Sequence, residues 1–383
     1  MKVAFFTESY HPIVSGVVVS VETFARQLEA RGVEVRIFTP RFPGYRDEDP
    51  TVVRLPALNL PTNPRYPLGP PWWPPARRAV REWGADLVHV HGPFLVGRLG
   101  AGIARGLGLP LVFTMHTRYE HYAHYVPLPR PLVYWVAKTL SRRFANACDL
   151  VIAPSPGFAA SLREMGITAR IEAICTGLDF AGMPRPGKGE RAAWGIPADV
   201  PLLLAVGRLA VEKNVEMLLT ALSRLQHKGA HLLFVGGGPL QQQAKRISER
   251  LGVADRVHFA GYQPHERVFA CAADADLFVF PSVTDTQGIV ILEAMAQGLP
   301  CVCTESPAVL GVVEQGANGL VVKDDAAAFA QAVDSLLADG EGRRAMGEQA
   351  CKTAAEYDIT HCTDRLVALY DELIAARKAR RKA

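Results

Sequence analysis

Several common protein classes are excluded by what this sequence lacks. Its seven cysteines (Cys148, Cys175, Cys271, Cys301, Cys303, Cys351 and Cys362) form no CxxC pair and no Cys/His zinc spacing. They read as reduced, cytosolic thiols rather than a disulfide framework. No apolar run approaches the roughly 20 residues that a membrane-spanning helix needs. The opening MKVAFFTES is a short strand ending in polar residues, not an apolar run with a cleavage site, so no secretory leader is expected. There is no acidic cluster comparable to DxD near a strand end, so neither a metal nor any other cofactor is expected. No helix-turn-helix and no basic sheet interleaved with aromatics is present, which argues against a nucleic-acid partner. No short-period repeat is visible. These absences leave a protein that is soluble or peripheral to a membrane.

What is present is ample apolar material: 383 residues, 49% of them hydrophobic, enough for two buried cores. The net charge of +4 is unevenly spread. Residues 1–180 carry 20 Lys+Arg against 14 Asp+Glu, and the remainder 22 against 24. A positive excess in one half points to an anionic partner there, a membrane surface or a nucleic acid.

The N-terminal half alternates two patterns. KVAFFT, VEVRIFTP, ADLVHVHGP, LPLVFTMHT and ACDLVIAPSP are short apolar runs of strand type, and SVETFARQLEARG is an amphipathic helix closed by Gly32. Residues 40–78, rich in Pro and aromatics, read as irregular chain. Around 178–198 Pro, Gly and charge mix as in a linker. A second alternating series follows, with strands at PLLLAVGRL, AHLLFVGGGP, RVHFAGY, ADLFVFPS and LPCVCT and helices between. Strands separated by helical stretches predict βαβ units and parallel sheets. The expected fold class is α/β, with two Rossmann-like, doubly wound domains whose strand ends face a cleft. The expected domains are 1–185, 186–355, and a C-terminal helical segment 356–383 that crosses back to the first domain. The closing ARKARRKA reads as a basic tail.

Strand ends carry the candidate chemistry, since open α/β sheets bind ligands there. SYHPIVSG brings Gly16 just before a helix, where backbone N–H groups can meet an anion. MHT puts His116 just after a strand. AVGRLAVEKN puts Arg208 and Lys213 on one loop, a two-pronged donor and a compact cation that match a diphosphate. FVGGGP, with Gly237 at its centre, lacks the full GxGxxG pattern, and its glycines suit a backbone turn close to a ligand. In PSVTDTQGIVILEAMAQGLPCV, Asp285 falls on a loop, Gly288 at the start of a helix, and Glu293 more than two turns into it. A helix start offers N–H groups and a positive dipole end to phosphates, and the two acids can address two sets of hydroxyls. Each feature has a plainer account taken singly: an ordinary turn, a structural histidine, a solvated charged loop, a capping Asp and an exposed Glu.

Taken together, FFTESYHPIVSG, MHT, VGRLAVEKN, FVGGGP and PSVTDTQGIVILEAMAQGLPCV resemble the retaining nucleotide-sugar glycosyltransferases of GT-B fold with an E-x7-E signature, over nearly the whole chain. The resemblance implies that Arg208 and Lys213 bind the donor diphosphate and Glu293 the ribose hydroxyls. It implies that Asp285 holds the hydroxyls of the donor sugar, and that Gly16 and His116 face that sugar from the other lobe. Gly237, Gln287, Gly288 and Ile289 would complete the donor site, with catalysis resting on His116, Asp285, Arg208 and Lys213. One departure stands out. The family's first Glu is Asp285 here, one methylene shorter, which touches donor identity more than activity.

Within the family, TQG and HTRYEHYAHYVP look most like the diacylglycerol glucosyltransferases, such as monoglucosyldiacylglycerol synthases. That implies transfer of glucose from UDP-glucose to 1,2-diacylglycerol, peripheral to the inner face of the cell membrane. YVPLPRPLVYWVAKTLSRRF combines Val133, Tyr134, Trp135 and Leu140 with Arg130, Lys138, Arg142 and Arg143, groups that can lie in an anionic interface. PPWWPPARR adds an aromatic anchor. The alternatives are a phosphatidylinositol, soluble or cell-wall acceptor, a UDP-sugar epimerase of the same bilobed fold, and a nucleotide-binding regulatory protein.

Overall fold

Alternate residues of the first strand leave for opposite sides of a sheet, and both sides are buried. Val3 and Phe5 join one apolar cluster, Ala4 and Phe6 another, and all four are fully shielded from solvent. A strand buried on both faces belongs to a parallel sheet covered by helices on each side. The computed structural model, which describes residues 1–13, 15–59, 67–120, 129–184, 187 and 189–382, contains two such sheets.

The chain divides into two compact units. One comprises Met1–Pro154, Phe158–Thr176 and Ile359–Ala383, and the other Ser155–Gly157 and Gly177–Asp358. The first unit holds β1 (Lys2–Phe6), β2 (Glu34–Pro40), β3 (Val52–Leu55), β4 (Leu87–Val90), β5 (Leu111–Thr114), β6 (Leu150–Ala153) and β7 (Ile171–Ala173). They form one parallel sheet in the order β3-β2-β1-β4-β5-β6-β7. Its helices are α1 (Gly16–Glu29), α2 (Pro74–Trp83), α3 (Leu95–Leu107), α4 (Arg130–Ala145), α5 (Pro156–Glu164), and the last helix of the chain, α13 (Ile359–Lys382).

The second unit holds β8 (Leu202–Val206), β9 (His231–Val235), β10 (Val257–Gly261), β11 (Leu277–Phe280), β12 (Cys301–Thr304) and β13 (Gly319–Val322), in the order β10-β9-β8-β11-β12-β13. Its helices are α6 (Glu190–Ala193), α7 (Val215–Arg224), α8 (Gln241–Arg250), α9 (His265–Asp274), α10 (Ile289–Ala296), α11 (Ala326–Ala338) and α12 (Gly340–Ala355). Strand order reverses between β1 and β4 in one sheet and between β8 and β11 in the other. In doubly wound sheets these switch points are where ligands bind.

Helix α13 is held to the first unit by its apolar face. Leu366, Tyr370 and Ile374 bury themselves in the cluster of Val3 and Phe5, each contributing about 1.5–3 kcal/mol. Among the described residues five ion pairs run alongside, Arg31–Asp364, Glu172–Arg365, Arg170–Glu372, Asp149–Arg377 and Asp86–Lys378. They are largely exposed and add little.

Local chemistry overrides the sequence pattern in several places. The stretch 40–78 is not wholly irregular. It contains β3, whose central Arg54 is half-hidden by bonds to Asp47 (2.7 Å) and to the carbonyls of Pro40 (2.8 Å) and His11 (2.6 Å). It also contains the start of α2, where Pro74 and Pro75 occupy positions that lack an intrahelical N–H partner in any case. Helix α1 begins at Gly16 rather than Ser20, because Ser15 caps it by accepting the Val18 N–H (3.4 Å). Gly16 is therefore the first residue of the helix. The basic ARKARRK, as far as Lys382, continues α13 instead of leaving it as a tail. Among the described residues no helix is long and apolar enough to cross a membrane.

Candidate active site

Strands β8 and β11 are parallel neighbours, with Leu203 opposite Leu277, so the loops that follow them emerge together. Side chains of the second loop fasten it to the first. Ser282 and Thr284 both donate to the carbonyl of Glu212 (3.1 and 3.3 Å). Asn214 closes the first loop with left-handed backbone (φ 52°) and donates to the carbonyl of Pro281 (3.3 Å). The result is that Lys213 Nζ donates to both carboxylate oxygens of Asp285, at 2.8 and 2.7 Å.

Arg208, on the same loop, is half-exposed and donates to Glu212, whose side chain is buried. Burial works against ionisation of Glu212. The Arg208 hydrogen bond and a backbone bond outweigh it and hold the carboxyl below its ordinary pKa. Gly207, Arg208, Lys213, Phe280, Pro281 and Ser282 line a pocket at this edge.

The glycine run after β9 has a structural explanation that the sequence does not disclose. A Cβ on Gly236 would lie 2.1 Å from the carbonyl oxygen of Gly207, and one on Gly238 2.3 Å from that of Leu209. The run lets this loop pack directly on the backbone of the Arg208 loop. A Cβ on Gly237 would find the exposed ring of Tyr262 nearest, at 2.8 Å.

Helix α10 opens at Ile289, directly after Gln287 and Gly288. Gly288 is its cap, with φ 63° and no side chain to satisfy the first-turn N–H groups. Counted from Ile289, Glu293 is in the second turn, not beyond it. Glu293 Oε1 accepts from His265 Nε2 (2.8 Å), and this bond raises the pKa of His265. The two acids of the motif thus have separate partners: Asp285 has Lys213, and Glu293 has His265.

Gly16 and His116 belong to the first unit. A Cβ built on Gly16 would meet nothing within 4 Å, and its φ is not positive, so no internal contact demands glycine there. His116 is half-buried, with Nε2 3.0 Å from Nδ1 of His91, and desolvation lowers its pKa to about 4. After β1, the Glu8 carboxylate accepts the N–H groups of Val96 and Gly97 at the start of α3 (3.1 and 3.2 Å). Burial raises its pKa, and these bonds partly offset the rise.

Both halves of the chain match known families. Residues 14–181 match Glycosyltransferase Family 4, and residues 188–353 match Glycosyl transferases group 1. The alpha-monoglucosyldiacylglycerol synthase of Streptococcus pneumoniae is 31% identical over 317 residues, 80% of this chain and 72% of that protein. This chain is a group 1 glycosyltransferase. The GDP-mannose-dependent alpha-mannosyltransferase of Corynebacterium glutamicum is 30% identical, over 84% of this chain and 76% of its own length. The sulfoquinovosyl transferase SQD2 of Arabidopsis thaliana is 27% identical over 95% and 72%.

Among solved structures, sucrose-phosphate synthase from Thermosynechococcus elongatus superposes with a TM-score of 0.77 at 23% identity, covering 98% of this chain and 99% of that one. HepE of Anabaena in complex with UDP gives 0.76 at 19%, covering 97% and 100%. The glycosyltransferase therefore has the GT-B fold of two parallel-sheet α/β domains. His265, Glu212 and His91 escaped sequence reasoning. Only His91 left a signal, in the alternation of LVHVH.

Proposed function

We propose that this glycosyltransferase moves glucose from UDP-glucose to the hydroxyl of 1,2-diacylglycerol at an anionic membrane surface, with retained anomeric configuration. The observation that carries this reading is the cationic edge formed by Arg208 and Lys213 beside the start of α10, where the cap residue Gly288 offers no side-chain bond. As the bond between the anomeric carbon and the leaving oxygen breaks, its electron pair goes to the diphosphate. Arg208, Lys213 and the first N–H groups of α10 stabilise that charge. The acceptor hydroxyl attacks the same face of the sugar, and its proton passes to the departing phosphate oxygen. Asp285 holds sugar hydroxyls once the donor displaces it from Lys213, and Glu293 holds the ribose. Gln287, Ile289 and Gly237 border the donor. Gly16 and His116 are assigned to the donor sugar, and the open space at Gly16 supports that role.

The lipid acceptor is favoured by likeness to the S. pneumoniae synthase and by the surface of α4. Leu132, Tyr134, Trp135 and Val136 are all exposed there, Trp135 at 63%. Three of these are consecutive, so the apolar surface wraps beyond one helix face. Residues 121–128, including the part of HTRYEHYAHYVP and of the α4 segment that falls there, lie outside the described residues. Between α3 and α4 runs a groove of about 360 Å³ lined by Arg98, Arg105 and Arg143 with Leu140 and Phe144. None of the three arginines pairs with a carboxylate among the described residues. Cations interleaved with apolar groups suit anionic headgroups. Trp72, 75% exposed, adds an anchor before α2.

The test is purified protein with labelled UDP-glucose and anionic vesicles containing diacylglycerol, followed by organic extraction. Lipid-phase label carrying an α-linkage, abolished in Arg208→Ala, supports the reading. Label that stays in the donor or enters only a water-soluble product refutes the lipid acceptor and turns attention to soluble acceptors and other sugar nucleotides.

A further inference from the structure

Three imidazoles lie in a row in the first unit. His89 and His91 leave β4 and its end on the same side, and His116 follows β5. The rings of His89 and His91 stack at 4.3 Å, and those of His91 and His116 at 5.3 Å. Both nitrogens of His89 meet hydroxyls, Nδ1 that of Tyr370 (2.5 Å) and Nε2 that of Thr114 (2.7 Å). A hydroxyl can donate or accept, so nothing selects the tautomer of His89.

His91 is different. Its Nδ1 is 3.0 Å from Nε2 of His116, while its own Nε2 is buried without a hydrogen-bond partner. If His91 carried its proton on Nε2, a buried N–H would have no acceptor, and Nδ1 would have to accept from His116. If the proton sits on Nδ1, it is donated to His116, and only a lone pair is left unpaired. Proteins tolerate the second deficit more readily than the first. Desolvation, with His89 and His116 close by, disfavours a charged His91.

We infer that His91 is a positioning residue: it donates Nδ1–H to Nε2 of His116 and fixes His116 as a neutral imidazole carrying its proton on Nδ1. The tautomer follows from the ring pair together with the unpartnered Nε2 of His91, and its functional consequence rests on the proposed assignment of His116 to the donor sugar. With its Nε2 lone pair engaged, His116 takes no proton there, and any group that meets Nδ1 meets a donor. A sugar hydroxyl would be bound through its oxygen. The general-base role that an epimerase would ask of this residue is closed. The depressed pKa of His116, about 4, agrees with a ring kept neutral.

The test is proton–nitrogen correlation spectroscopy of the full-length protein labelled at histidine, near neutral pH, with His116 identified by its loss in His116→Asn. The wild-type spectrum should show His116 protonated at Nδ1 and bare at Nε2. In His91→Leu, which keeps bulk but donates nothing, the His116 signals should move to the Nε2–H form or to a mixture. His91→Asn, whose amide can donate from near the same place, should preserve the wild-type pattern. Wild-type His116 protonated at Nε2 overturns the inference, as does an unchanged pattern in His91→Leu. If the Leu variant does not fold, the wild-type spectrum still decides. A protein with the expected tautomer but no transfer activity would retain the inference and lose the functional reading, so the two failures are distinguishable.

Discussion

Lys213 Nζ reaches both oxygens of Asp285, at 2.8 and 2.7 Å, although 72 residues separate the two in sequence. The pair places a cation and a carboxylate at the switch point between β8 and β11 before any ligand arrives. A donor diphosphate would take Lys213 from Asp285 and leave the carboxylate for the sugar. Both side chains are about a quarter exposed, so the pair itself adds about 0–1 kcal/mol to stability. Lys213→Ala should therefore keep its melting temperature within a few degrees while turnover falls on the order of 10²–10³. Steady-state kinetics beside a thermal melt reads both quantities.

Asp285→Glu tests the missing methylene. The longer side chain can still meet Lys213, but its carboxylate sits further into the space assigned to the sugar. Turnover with the native donor should fall, and the ratio of rates across a panel of sugar nucleotides should change. An unchanged ratio would detach Asp285 from donor choice.

The desolvated imidazoles make stability depend on pH, and the sign follows from the direction of their shifts. Desolvation lowers the pKa of His89, His91 and His116, the last to about 4, against about 6.5 in the unfolded chain. Between those values the unfolded state binds more protons, so stability falls as pH drops from about 6.5 towards 4. His116→Gln should flatten the fall in thermal melts over that window. His265 works in the opposite sense, because Glu293 raises its pKa. Its contribution is present at low pH and lost as pH rises through that raised value. His265 is largely exposed, so this effect is small.

Tyr370 ties α13 to the histidine row and is fully buried. Tyr370→Phe leaves the packing but removes a partner from His89, a loss of about 1–3 kcal/mol. Chemical denaturation should show it as a lower midpoint.

Replacing Arg98, Arg105 and Arg143 together by Ala should weaken partition to anionic vesicles on the order of 10², at about 1 kcal/mol per cation near the surface. Transfer to a water-soluble short-chain acceptor should stay intact. Vesicle flotation separates the outcomes, and unaltered flotation would move the membrane contact away from the α3–α4 groove.

Much of the architecture is legible in the sequence because strands buried on both faces are short apolar runs. KVAFF, LVHV, LVFT and LVIA read directly as β1, β4, β5 and β6. β3 is not legible, since an edge strand with Arg54 at its centre owes its place to Asp47 and to carbonyls rather than to apolar content. The start of α2 is masked by prolines that suit a first turn but resemble irregular chain.

The same contrast holds at the site. Arg208, Lys213 and Asp285 stand out as charged residues on loops after strands, and Glu293 as an acid on the helix that follows. That Lys213 would pair with Asp285 depends on β8 and β11 being neighbours, and that Glu293 would meet His265 depends on α9 packing against α10. His91 looks like a strand residue until Nε2 of His116 is found beside it.

The central claim is that the second unit's switch point holds the donor's nucleoside diphosphate. Calorimetric titration of UDP into the wild type, Lys213→Ala and Glu293→Gln tests it most directly. Saturable binding by the wild type, weakened in both variants while their melting curves stay close to it, is the predicted result. UDP binding unchanged by either substitution would contradict the account.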